Sequence, residues 1–298
     1  VYPLATEALF QKKITVGEPY FNQMALPLGL VMLFLMGVGP MLPWGSADRS
    51  VLRTQALIPA LAGLATAGIC AALGYRGFMP LTAFGLAGFT VVSTLRELLL
   101  PARQRMTEQK EDAMTAFFRS ATRARRRFGG YVVHLGIVAI VVAVAASSAY
   151  KIHTTGTLKA GQTLGLGDFQ VRFDGLSEGR EPRRSWVGAN ITILGANGLS
   201  VARHDADAPR LNYYERQNDP VGSPMVHEMV VRDLYVSLLA YDAKTGTATF
   251  NAWVFPLVGW IWYAIPILVL GTLISLWPQR KQKASLSESA GDALPQGS

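Results

Sequence analysis

The stretch Gly129-Gly130-Tyr131-Val132-Val133-His134-Leu135-Gly136 runs straight into Ile137–Ala146, where every residue is Val, Ile or Ala. An apolar run of this length predicts a membrane-crossing helix over 129–150. It follows the most basic stretch of the chain, Arg123 to Arg127. From Ile137 to Ala146 only Val, Ile and Ala follow, so His134 is the one histidine of the run, with no Cys, Met, Asp or Glu beside it. Ionisable groups in hydrocarbon are costly and mark pathways, ligands or cofactors. Gly130 lies at i−4 from His134, on the same helix face, and leaves the backbone open to a flat macrocycle. Two roles are open for His134: axial ligand to a haem iron, or hydrogen-bond donor to a neighbouring helix.

Composition agrees with a membrane chain. Half of the residues are apolar, only 16% are charged, and the mean hydropathy is +0.24. Apolar runs of spanning length predict helices at 24–44, 55–75, 79–100, 129–150 and 253–277. Residues 1–23 are too polar to span and are expected to form an interfacial segment on the outer side. The chain opens at Val1 rather than Met, with no cleavable signal, which reads as a fragment or a processed product.

Charge placement sets the expected orientation. The 101–128 segment holds eight basic residues against Glu108, Glu111 and Asp112. Arg49 and Arg53 follow the first run, and Arg280, Lys281 and Lys283 lie in the 278–298 tail. With five alternating spans all three segments fall on one side, the cytoplasm by the positive-inside rule. A nucleic-acid role for the basic stretch is the weaker reading.

Residues 151–252 then lie outside. Phe169–Phe173, Asn190–Leu194 and Leu234–Leu238 alternate with period two between Gly and Asp turns, predicting a small antiparallel β barrel or sandwich. The fold class expected is thus a polytopic α-helical membrane protein with an extracytoplasmic antiparallel β domain inserted before the last span. Cys70 is the single cysteine, which excludes intrachain disulfides and CxxC redox chemistry. His153, His204 and His227 lack zinc-type spacing and read as surface histidines. No P-loop, dinucleotide fingerprint or nucleophile elbow is present.

Several stretches resemble the C-terminal half of the cytochrome c maturation haem-lyase subunit family, CcmF. They are Ile14–Asn22 with Gly39-Pro40 and Trp44, the glycine-led His134-Leu135-Gly136 span ending in Ser147-Ser148, Arg232-Asp233-Leu234-Tyr235, and Pro256–Trp262. Ile265-Pro266 departs from the small residues common in the family at that place. The resemblance implies that His134 is one axial ligand of a buried haem b, beside Gly130, with the second histidine on a helix of an N-terminal half absent from this sequence. That half also carries the haem-presenting Trp-Trp-Asp segment, so the chain is expected to be a truncated piece or one polypeptide of a split system. Whether it catalyses by itself is left open.

The activity implied is reduction and attachment of haem to apocytochrome c, with quinol as one electron source. Implied partners are the N-terminal half, haem-chaperone and thiol-handling subunits, apocytochrome c and membrane lipid. The implied location is a bacterial or mitochondrial inner membrane. Alternative readings are a non-catalytic scaffold that docks maturation partners, and a secondary transporter. The transporter is disfavoured because only His134, Arg96 and Glu97 are ionisable within the spans.

Overall fold

A computed structural model describes residues 18–42, 49–215 and 219–278. Among the described residues six helices and ten strands follow in order. Helix α1 (Glu18–Val38) closes on a 3-10 turn at Gly39–Met41. Helices α2 (Arg49–Ala72), α3 (Phe78–Glu108), α4 (Ala113–Arg123) and α5 (Arg125–Ala149) come next, and α6 (Trp260–Leu276) ends the described chain. The strands lie between α5 and α6.

Three of the described helices are long and apolar enough to cross a membrane, within Gln55–Ala72, Phe78–Glu108 and Arg125–Ala149. The expected first and fifth spans are shorter apolar helices, Leu26–Met41 and Trp260–Leu276. The fifth differs because Trp253–Pro256 belong to a strand. Its apolar run is continuous in hydropathy, so composition places no boundary there, although Ala252 and Val254 alternate inward with period two. The expected loop over 101–128 is also mostly helical. Helix α3 continues to Glu108, and the Asp112 carboxylate caps α4 by accepting from the Thr115 N–H at 3.0 Å. Glu111 joins the two helices through Arg105 at 3.0 Å and Arg119 at 2.5 Å. Residues 1–17 and the tail from 279 lie outside the described residues.

Small side chains set the helix contacts. Helix α1 meets α3 where Thr90 Oγ1 donates to the Leu33 carbonyl at 2.9 Å and Ser93 Oγ to the Gly37 carbonyl at 2.6 Å. Helices α5 and α6 cross at Gly129 and Gly271, where a Cβ on either glycine would strike the other's backbone. This is the close approach that small residues permit when apolar side chains gain nothing from leaving lipid.

The strands are β1 (Ile152–Lys159), β2 (Thr163–Leu166), β3 (Phe169–Glu181), β4 (Arg184–Leu194), β5 (Ser200–His204), β6 (Arg210–Tyr214), β7 (Val221–Ser223), β8 (Met225–His227), β9 (Arg232–Asp242) and β10 (Thr247–Pro256). They form two antiparallel sheets of a half-barrel, ordered β1-β10-β9-β8 and β2-β3-β4-β6-β7, with β5 also on β4. Phe173, Ile191, Ile193, Leu234, Val236 and Phe250 are fully buried between them. The period-two alternation of the sequence is therefore the inward and outward alternation of the sheets. Strand β1 begins three residues after α5 ends and pairs with β10 from Ile152↔Val254 to Lys159↔Thr247.

Candidate functional site

His134 lies two turns into α5, facing α1. With Tyr131 it lines an open hollow of about 510 Å³ whose other walls are Met32, Leu35, Met36, Gly39 and Pro40. The imidazole Nδ1 is buried and has no hydrogen-bond partner. Leaving a buried ring nitrogen unpaired costs about 1–3 kcal/mol. One imidazole among apolar and thioether side chains is a donor set suited to a haem iron. Nδ1 makes no hydrogen bond to a neighbouring helix among the described residues.

Tyr131 is fixed from below. Arg127 Nε donates to its hydroxyl at 2.8 Å, and the Arg127 guanidinium also reaches the Glu97 carboxylate of α3 at 2.5 Å. The Tyr131 and His134 rings stand 6.1 Å apart, edge to face at 68°. Of the neighbouring arginines, Arg125 donates to the Pro278 carbonyl at 3.2 Å, at the end of α6. The string Glu97–Arg127–Tyr131 was not legible in the sequence, since Glu97 lies 30 residues away; only the i,i+4 spacing of Arg127 and Tyr131 signalled half of it.

Gly130 does not line the hollow. A Cβ built there meets nothing within 4 Å, so the space beside it is open. Its neighbour Gly129 makes the close approach to α6. A second cleft, of about 410 Å³, lies along α1, α3 and α5 beside Leu30, Ala83 and Val141, and none of its lining residues is ionisable.

The three histidines of the half-barrel divide. His153 is exposed, bonds Asn251 Oδ1 through Nε2, and stacks on Trp253 with ring centroids 3.8 Å apart. His204 departs from the expected surface residue: it is buried, at 7% exposure. Its Nδ1 pairs with Asp207 Oδ2 at 2.7 Å, and its Nε2 is buried without a partner. Its ring meets that of His227 edge to face at 5.3 Å, bringing β5 of one sheet against β8 of the other. Burial, then the neighbouring His204, push the His227 imidazole below its ordinary value. Burial works to raise the Asp207 carboxyl, but the His204 hydrogen bond and charge outweigh it and hold the group below the usual carboxylate range. Among the described residues no three His, Cys, Asp or Glu side chains gather as a metal site.

Arg232–Tyr235 opens β9. Asp233 is buried and accepts the Met229 N–H at 3.1 Å, whereas Arg232 reaches Asp168 at 2.7 Å on the rim. Tyr235 lies half-buried on the outer sheet face beside Phe255 rather than in the core. These residues organise the β8–β9 loop.

No protein-family model matches the chain. Among curated relatives, the cytochrome c-type biogenesis protein CycK of Rhizobium meliloti is 30% identical over 285 residues, covering 94% of this chain and 40% of that protein. CcmF of Pseudomonas aeruginosa is 27% identical over 98% of this chain and 43% of its own length. CcmF of Escherichia coli K12 is 25% identical over 98% of this chain and 42% of its own. The solved structure of "Cytochrome c Heme Lyase CcmF" superposes with a TM-score of 0.68 at 28% identity, over 93% of this chain and 42% of that one. The chain thus spans about two fifths of the length of the relatives it matches. Over nearly its whole length this chain is a homologue of the CcmF and CycK cytochrome c-type biogenesis proteins, matching the C-terminal half of CcmF that its motifs resemble.

Proposed function

We propose that this chain is the C-terminal part of a membrane haem lyase of cytochrome c maturation, in which His134 would hold a buried haem b through its imidazole. The single observation that carries the reading is the buried, unpartnered Nδ1 of His134 beside an apolar hollow. The second ligand is assigned to a histidine of the N-terminal half. A haem held there would supply one-electron redox chemistry, of use in reducing haem destined for apocytochrome c.

The chain's own residues have separate tasks. His134 donates its lone pair, Met32, Leu35 and Met36 exclude water, and the Glu97–Arg127–Tyr131 string holds the wall next to the imidazole. Arg127, held between Glu97 and Tyr131, places a cation two helical turns before His134 on α5. Gly130 leaves the α5 surface open beside the ligand.

The membrane placement belongs to the same proposal. Helices α2, α3 and α5 span an inner membrane, and α1 and α6 complete the bundle. The basic residues of α3, α4 and the start of α5 lie on the cytoplasmic side, and the half-barrel projects to the outer side. The partners are the N-terminal half, further subunits of the maturation system and apocytochrome c.

The test is the absorption spectrum of the full-length protein purified with its N-terminal half. His134→Ala is expected to abolish the low-spin bis-histidine signature while expression, membrane insertion and the folded β domain persist. An unchanged low-spin spectrum would remove His134 as a ligand.

A further inference from the structure

Helix α6 is short. Its 17 residues extend about 25 Å, less than the ~30 Å of a hydrocarbon core. Its ends therefore lie at the level of the boundary between acyl chains and headgroups, where Trp and Tyr concentrate. Trp262 and Tyr263 are 70% and 56% exposed at one end, and Trp277 is 66% exposed at the other.

The first of these ends is tied to the half-barrel. Trp260 Nε1 donates to the Val230 carbonyl at 2.9 Å, and the Leu257 N–H donates to the Val231 carbonyl at 2.7 Å. Both bonds pull the β8–β9 loop against the start of α6. The loop tip is Val230-Val231, with side chains 66% and 60% exposed. The Asp233 carboxylate holds the loop from within by accepting the Met229 N–H, so its shape is fixed. Two valines held outward by a rigid loop are unfavourable in water, at about 25 cal/mol for each Å² of apolar surface.

The flanking charges limit the depth. Glu228 is exposed on one side of the valines, and Arg232 pairs with Asp168 on the other. A carboxylate and an ion pair belong among headgroups, so only the valine tip reaches the acyl boundary.

We infer that Val230 and Val231, with Trp262 and Tyr263, form a lipid-contacting edge through which the half-barrel rests on the phospholipid surface. The inference depends on the reading above that α6 crosses the membrane. The half-barrel is thereby held at a fixed height by a loop as well as by its two helices.

Site-directed spin labelling of the full-length protein tests this, in bilayers of phosphatidylcholine and phosphatidylglycerol. Single nitroxides are placed by Val230→Cys and, separately, Val231→Cys. Leu270→Cys in the middle of α6 and Lys244→Cys in the β9–β10 turn give the lipid and water references. Power saturation then compares collisions with oxygen and with a water-soluble nickel chelate. Labels at 230 and 231 are expected to favour oxygen several-fold relative to Lys244, at a depth shallower than Leu270. Nickel access at both positions equal to that at Lys244 would overturn the inference alone. Protection from both reagents would also overturn it, showing a protein partner where lipid is assigned. Nickel access at Leu270 would overturn the spanning reading of α6, and the lipid edge with it.

Discussion

Replacing Gly129 by alanine should loosen the α5–α6 crossing, whereas the same change at Gly130 should do nothing to it. A Cβ at Gly129 would sit 2.4 Å from the Gly271 carbonyl oxygen and 2.6 Å from the Ser275 nitrogen. Both are backbone atoms of a helix and have no rotamer to turn away. The methyl is therefore about 1 Å short of ordinary van der Waals contact, and the helices must separate by that amount. Gly271 meets Gly129 and Val133 as closely from the other side, so the strain has no slack to absorb it. Overpacking of this kind costs about 1–3 kcal/mol. Thermal unfolding of the purified full-length protein, followed by tryptophan fluorescence, should show a lowered midpoint for Gly129→Ala. Gly130→Ala should stay within ~0.5 kcal/mol of the parent, as expected for a change that touches nothing. Equal effects from the two substitutions, or none from Gly129→Ala, would refute the crossing described for α5 and α6.

Gly130→Leu should leave thermal stability unchanged, because its side chain enters open space, yet weaken the haem spectrum if the macrocycle lies along that face; titration of haem into the apoprotein measures it. His227 has a folded-state value below its ordinary 6.5, so its stabilising contribution is complete above that value and is lost as pH falls from 6.5 through the folded value. The unfolding midpoint of the half-barrel should accordingly drop between pH 7.5 and 5, with a shallower slope in His227→Gln; an unaltered slope would exclude this group as the cause. Thr192→Val removes the hydroxyl that donates to Asp174 Oδ2 at 2.5 Å inside the half-barrel, and should cost about 1–2 kcal/mol in chemical denaturation. Cysteines at Ser177 and Thr122 should label from opposite faces of sealed vesicles; labelling from one face would sink the proposed orientation.

Much of the architecture could be derived from residue order. The alternation in Leu234–Leu238 gave the buried set Leu234, Val236 and Leu238, because a half-buried sheet imposes a period that composition cannot hide. The limit of α6 was not legible, since Trp253–Pro256 is as apolar as the helix that follows. Which glycine meets α6 was equally hidden: Ile137–Ala146 is apolar on every side, so no hydrophobic face orients the helix. Spacing from His134 singled out Gly130 for open space beside the imidazole and carried no sign that Gly129 makes the helix contact. The meeting of His204 with His227 depends on strands from two sheets, a pairing that no local pattern records.

The β1–β10 ladder gives the half-barrel a mechanical property. Ile152 pairs with Val254 almost as soon as the chain leaves α5, and the same strands lead back into α6 after only a turn. A paired ladder and a pair of helices crossing at glycine backbones are thus joined end to end without a slack linker. A tilt imposed on the half-barrel is not absorbed at its base. It is carried down as shear between α5 and α6, toward the Gly129–Gly271 contact at the opposite end of the pair. His134 sits on the loaded member, little more than one turn above that contact. A load on the half-barrel would therefore work like a lever on the imidazole, with the glycine crossing as its fulcrum.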